Sequence, residues 1–92
     1  LLGGAFVTSN RESGDGRYDI QLKPTKKGLP GILIELKAEK NCSDEQLKKL
    51  SETALQQIND KKYETELATA GVRTIYKYGV AFSGKKVEVA VG

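Results

Sequence analysis

Two carboxylates and an ammonium group are spaced so that they could act together in this sequence: Asp19, Glu35 and Lys37. Each acid lies in a segment where apolar and polar residues alternate, and this pattern predicts two half-buried strands. If the loop between the strands is centred near Lys27, Asp19 lies opposite Glu35 with the two Cβ atoms about 5 Å apart. Lys37 is two residues further along the same face, so the three groups are expected to converge.

Such a cluster offers the ligands that a magnesium ion prefers, since Mg²⁺ takes oxygen ligands at about 2.1 Å and keeps several waters. The Leu36 carbonyl lies between Glu35 and Lys37 and is a natural third protein ligand. A bound metal would neutralise charge that develops on a phosphate, and Lys37 could hold or deprotonate an attacking water. The alternative is a surface ion-pair cluster that contributes less than about 1 kcal/mol, and spacing by itself favours that alternative.

The composition narrows the chemistry. The 92 residues include no histidine and one cysteine, Cys42. Catalytic pairs and metal sites that need an imidazole, multi-cysteine zinc sites and internal disulfides are therefore excluded. The lone cysteine fits a reducing compartment, and we expect a cytoplasmic protein without a membrane span. The net charge of +3 permits phosphate-bearing partners, although on charge alone a solvated basic surface is the better explanation.

The remaining pattern predicts an α+β, or mixed α/β, domain with the element order β-β-β-α-β-β. A capping box from Ser43 to Gln46 predicts the start of a helix, and Gly71 predicts the end of a second helical stretch. We interpret residues 1–92 as one domain, a C-terminal fragment of a longer protein. In chain order the expected elements are a short strand 5–8, a loop 9–16, a strand 17–22, a hairpin loop 24–30, a strand 31–38, a helix from 43, a helical stretch 62–70, a strand 74–82, a turn 83–85 and a strand 86–91.

Longer strings around the polar cluster resemble a known family. They are SNRESGDGRYDI at 9–20, ILIELK at 32–37, and KYGVAF at 77–82, with QI at 57–58 and KY at 62–63 between them. Together with the acid-x-lysine pair, these strings are similar to the PD-(D/E)XK nuclease superfamily. Within it they resemble the domain that follows an AAA-type ATPase-like region in bacterial proteins. The resemblance extends from Phe6 to Val89.

This resemblance implies a restriction-endonuclease-like fold, in which helices flank a mixed β-sheet, and a metal-dependent endo- or exonuclease. Asp19 and Glu35 would be ligands of Mg²⁺ or Mn²⁺, and Lys37 would be the catalytic lysine. Gln57 matches a glutamine that related nucleases use after the lysine strand, the alternative being an ordinary exposed helix residue. The implied partner is nucleic acid, with DNA favoured over RNA.

Three basic residues, Arg11, Arg17 and Lys61, could contact phosphates, and for each of them a solvated surface position is an equal alternative. Glu12 and Asp15 could supply a further carboxylate for a metal, but solvation in a loop is the better explanation for both.

The sequence departs from the family pattern in two places. Tyr18 replaces the proline of the motif, which is a common variation. The first core helix is missing or reduced to residues 1–4, so we expect one face of the sheet to be uncovered. A partner chain, an exchanged segment or a homo-oligomer could cover that face. A second functional hypothesis follows: a nuclease-fold module with weak or lost cleavage that binds nucleic acid or assembles an ATPase-containing protein.

Overall fold

The computed structural model describes residues 6–14, 17–60 and 63–92, and at positions 7, 9–13, 17, 60 and 63 it describes the backbone alone. The elements in this part of the chain confirm the predicted order, with the second helical stretch as a separate short helix. They are β1 (Phe6–Gly14), β2 (Arg17–Pro24), β3 (Gly31–Ala38), α1 (Asp44–Asp60), α2 (Tyr63–Thr69), β4 (Ile75–Ser83) and β5 (Lys86–Val91).

The five strands form one mixed sheet in which they lie side by side in chain order. Strands β3 and β4 are parallel, and the other neighbouring pairs are antiparallel. A parallel pair needs a long crossover, which here contains both helices. The architecture is therefore the α+β plan with a mixed sheet that the sequence predicts.

Both helices pack against the same side of this sheet, which we call the helix face. Leu33 of β3 is buried there with Ile58 of α1 and Leu67 of α2. Lys77 of β4 holds the junction of the helices, because its Nζ donates to Asn59 Oδ1 at 3.0 Å and to Glu64 Oε2 at 2.7 Å.

The opposite side of the sheet, the open face, is apolar and only partly buried. No helix of the described residues packs on it, and residues 1–4, the expected remnant of the first core helix, lie outside the described residues. Its most exposed side chains are Val91 at 68% and Val87 at 53%. Register and alternation assign to it Tyr18, Ile20, Leu22, Ile32, Ile34, Leu36, Tyr76, Tyr78, Val80, Phe82, Val87, Val89 and Val91.

Local signals at the helix ends are also confirmed. The Gln46 N–H donates to Ser43 Oγ at 3.2 Å, and the Ser43 N–H donates to Gln46 Oε1 at 2.8 Å, so the capping box starts α1. After α2, Gly71 has φ of +90°. The Val72 N–H then donates to the Leu67 carbonyl at 3.0 Å, which is the bond that closes a glycine-capped helix.

The loop predicted over residues 9–16 is wrong as far as residue 14. Strand β1 continues to Gly14 and pairs with β2, with an irregularity in register between Glu12 and Gly14. The backbone hydrogen bonds to β2 outweigh the low strand propensity of the Ser, Asn and Gly residues in this segment. Residues 15 and 16 lie outside the described part of the chain.

Candidate active site

Asp19 and Glu35 lie directly opposite each other in the β2–β3 hairpin, which confirms the predicted register. On its other side Glu35 is paired with Gly79 of β4, so this carboxylate is on an interior strand. Directly opposed side chains have Cβ atoms about 5 Å apart. The sequence pattern therefore located the two acids correctly relative to each other.

Both carboxylates are buried, with exposures of 5% for Asp19 and 1% for Glu35. Lys37 follows on the same face and is half-buried. Charged groups of a surface ion-pair cluster would be solvent-exposed, so that alternative is wrong for the two acids. Burying two carboxylates side by side is unfavourable unless something compensates their charge.

Gly79 explains how α1 comes close to the strand next to Glu35. A Cβ atom at this position would lie 2.5 Å from the Leu55 backbone nitrogen and would also collide with the Ser51 carbonyl oxygen. Only glycine allows this approach of helix and strand backbones. The sequence analysis did not assign Gly79, although a glycine inside an apolar strand is the signal that indicates such an approach.

Three buried side-chain oxygens on this side of the sheet have no hydrogen-bond partner among the described residues: Asp19 Oδ1, Glu35 Oε2 and Gln57 Oε1. Asp19, Glu35 and Lys37 each also take part in another interaction, so these side chains are not isolated. Burying an oxygen atom without a hydrogen-bond donor costs about 1–3 kcal/mol of stability.

Gln57 is placed by its neighbours on α1. The Leu55 side chain lies beside Gly92, just beyond β5, because a Cβ added at Gly92 would be 3.0 Å from its Cδ1. Two residues further along a helix the side chain has rotated by about 200°, so Gln57 lies on the flank of α1 opposite Leu55. Its side chain is half-buried. The alternative interpretation of Gln57 as an exposed helix residue is therefore wrong.

A family model described as the PD-(D/E)XK nuclease superfamily matches residues 1–91. The chain belongs to this superfamily. The comparison with curated proteins found no match, and neither did the comparison with solved structures. No helix in the described part of this PD-(D/E)XK domain is long and apolar enough to cross a membrane.

The donor set of this PD-(D/E)XK domain suits a magnesium-type ion. Within residues 6–14, 17–60 and 63–92, no three Asp, Glu, His or Cys side chains lie close enough together to hold a metal ion by themselves. Asp19 and Glu35 would therefore supply two ligands, and backbone oxygen, water or substrate phosphate the rest. Mg²⁺ sites in phosphate-transferring enzymes are commonly built from one or two carboxylates in this way. Leu36 directs its side chain to the open face, and a role for its carbonyl stays a prediction.

The predicted phosphate-contacting residues are placed only in part. Arg11 lies opposite Asp19 in the β1–β2 register, and Arg17 lies opposite Lys37. Their side chains are outside the described part of the structure, and Lys61 lies outside the described residues. The same holds for Asp15 and for the side chain of Glu12.

Proposed function

We propose that this PD-(D/E)XK domain hydrolyses phosphodiester bonds of nucleic acid, with DNA as the favoured substrate and Mg²⁺ or Mn²⁺ as the cofactor. The observation that carries the proposal is the pair of carboxylates, Asp19 and Glu35, that is in register and buried on the helix face. A divalent cation would compensate both negative charges at once. Membership of the superfamily supports this chemistry.

In this proposal Asp19 and Glu35 hold the ion. When bound, the ion supplies charge neutralisation at the phosphate and a more acidic water. Lys37 holds the attacking water and donates to a phosphate oxygen as charge develops there. Gln57 accepts a hydrogen bond through its buried Oε1 and keeps the water in line with the scissile bond.

The test is a cleavage assay with single-stranded, duplex and branched DNA and RNA in Mg²⁺, Mn²⁺ or EDTA. We expect metal-dependent cutting that falls by at least about 100-fold in Asp19→Asn and in Lys37→Ala, since each change removes a charge from the transition-state site. Lys48→Ala is the matched control, because Lys48 is exposed on α1. Cutting that survives in EDTA or in Asp19→Asn would overturn the proposal.

The alternative function, binding or assembly with weak or lost cleavage, predicts a different result in the same assay. Nucleic acid would be bound by the wild-type protein and left intact in either metal. The presence of Asp19, Glu35 and Lys37 together supports hydrolysis, because binding or assembly alone does not require a buried carboxylate pair.

We also propose that a second copy of the chain covers the open face. Among the described residues, this face exposes Val87, Val89 and Val91 at 53%, 47% and 68%. Exposed apolar side chains gathered on one face are typical of a protein–protein contact. The open face on β2 to β5 has no charged residue, so an identical face would meet it without repulsion between like charges.

Sedimentation equilibrium over a range of concentrations tests this second proposal. Val89→Lys places a charge on the open face and is expected to give a monomer with unchanged secondary structure. Lys85→Ala in the adjoining turn is the control and should leave association unchanged. A wild-type protein that stays monomeric at the highest concentrations would overturn the proposal.

We further propose, from the resemblance of the sequence strings, that residues 1–92 are one domain of a longer cytoplasmic protein with an AAA-type ATPase-like region. The single thiol, on buried Cys42, is compatible with a reducing compartment. Two measurements test this proposal. One is a search for an ATPase-like segment in the full gene product, and the other is the location of the protein in cell fractions.

A further inference from the structure

A groove lies at the end of the sheet where β3 and β4 begin. The β2–β3 loop and the connection from α2 to β4 line it. They contribute three cations, Lys26, Lys27 and Arg73, and all three are exposed. No Asp or Glu is among the described lining residues. We call this feature the basic groove.

The charges of the basic groove are not neutralised by described neighbours. Within the described part of the chain, Lys26, Lys27 and Arg73 form no ion pair, whereas Lys77 pairs with Glu64 and Lys86 with Asp44. Like charges gathered on a concave surface raise the local potential and attract anions. The two acids of α2, Glu64 and Glu66, are not among the lining residues.

Two glycines keep the backbone of the groove accessible. Gly28 and Gly71 have φ values of +87° and +90°, and a Cβ at either position would meet nothing within 4 Å. The open space beside each loop lets a bulky anion approach the main chain.

Strand β2 connects the basic groove with the carboxylate pair. Asp19, Gln21 and Lys23 alternate onto the same face of β2, and Lys23 is exposed. The strand then ends at Pro24, in the lining of the groove. Four residues of strand span about 13 Å, the length of about four base steps at 3.4 Å each. Helix α1 packs mainly against β3, β4 and β5 rather than over this part of β2.

We propose that the basic groove binds backbone phosphates of the nucleic-acid strand that is held at the Asp19–Glu35 site, with Lys23 as the contact between them. The inference rests on the proposed function and limits the range of substrates that the site would accept. The preferred substrate is a polymer that continues for at least about four nucleotides beyond the scissile bond, rather than a dinucleotide or a free phosphate ester.

The experiment measures binding without cleavage. Fluorescence anisotropy in EDTA, at several salt concentrations, gives the affinity for a labelled 20-base-pair duplex and for a 20-nucleotide strand. The test variant is Lys26→Ala/Lys27→Ala/Arg73→Ala. The control is Lys40→Ala/Lys48→Ala/Lys49→Ala, which removes the same charge from exposed positions outside the groove. Circular dichroism checks that both variants are folded.

The expected result is weaker binding by the groove variant and a smaller dependence of log affinity on log salt, by about one unit for each lost phosphate contact. The control should keep the wild-type slope. The wild type should bind an oligonucleotide of three nucleotides, which cannot span the carboxylate site and the groove together, more weakly than the 20-nucleotide strand.

Equal salt slopes for the groove variant and its control would overturn the inference, as would absence of binding by the wild type. The outcome for groove binding can be distinguished from the outcome for the proposed hydrolysis. Groove-dependent binding without metal-dependent cutting would support the groove and overturn the proposed hydrolysis. Cutting with equal slopes for both triple variants would support hydrolysis and overturn the groove.

Discussion

Each face of the sheet carries residues that depart from the usual distribution of polar and apolar side chains. On the helix face, Glu35 is among the most buried side chains of the described residues, and Asp19 is buried beside it. On the open face, Val87, Val89 and Val91 are exposed. Residue hydrophobicity alone therefore does not decide which of these side chains are buried. Such local conflicts are expected where a protein binds something, and they are the reason for the two proposed ligands, a cation on the helix face and a second copy on the open face.

Gly79→Ala should give the largest loss of stability, because the added Cβ pushes α1 away from β4, the strand that pairs with Glu35. The added Cβ collides with backbone atoms, so we expect a loss of more than about 3 kcal/mol in the free energy of unfolding, measured in urea. Gly92→Ala is the matched control. Its Cβ would meet only the end of the Leu55 side chain, at 3.0 Å, and should change stability by less than about 1 kcal/mol. Similar small effects for both would contradict the close packing of α1.

Leu33→Ala and Ile34→Ala compare neighbouring residues that point to opposite faces. Leu33 is 1% exposed in the core under both helices, and its truncation should lower the free energy of unfolding by about 3 kcal/mol. Ile34 is half-buried on the open face, and its truncation should lower it by about 1 kcal/mol in dilute protein. Equal losses would mean that the open face is as well covered as the helix face.

Binding of Mg²⁺ should stabilise the helix face. A ligand at 100 times its dissociation constant raises the free energy of unfolding by about 2.7 kcal/mol. We expect thermal unfolding to shift upwards in Mg²⁺ and to return in EDTA. The shift should be lost in Asp19→Asn and kept in Asp44→Asn, an exposed residue at the start of α1. An upward shift that persists in Asp19→Asn would place the ion elsewhere.

Val89→Thr should give the smallest change in the stability of the single chain. In dilute protein the side chain is 47% exposed, so the free energy of unfolding should change by less than about 0.5 kcal/mol. At concentrations where two copies associate, the same change should weaken association. A concentration-independent loss of stability would contradict an open face that is covered by a second copy.

The fold was predictable where local pattern decides it. Alternation and a symmetric loop located Asp19 opposite Glu35, and the capping box located the start of α1. The burial of Glu35 was not predictable, since it depends on β4 and on the close approach of α1 at Gly79, which arise only in the folded chain. The length of β1 was missed because its hydrogen bonds come from β2. The basic groove was missed because Arg73 and Lys26 are brought together only by the folded chain.

The parallel pairing of β3 with β4 has a consequence for the order of folding. Asp19 and Glu35 are joined by a short loop, whereas both helices separate Glu35 from Gly79. Closing the shorter loop requires less conformational entropy, and local pairings usually form first. The carboxylate pair is thus expected to assemble in an early hairpin, while still hydrated. The pair is then expected to lose its water in the slower step in which α1 and β4 dock. A cation that binds before that step would help to guide the last stage of folding.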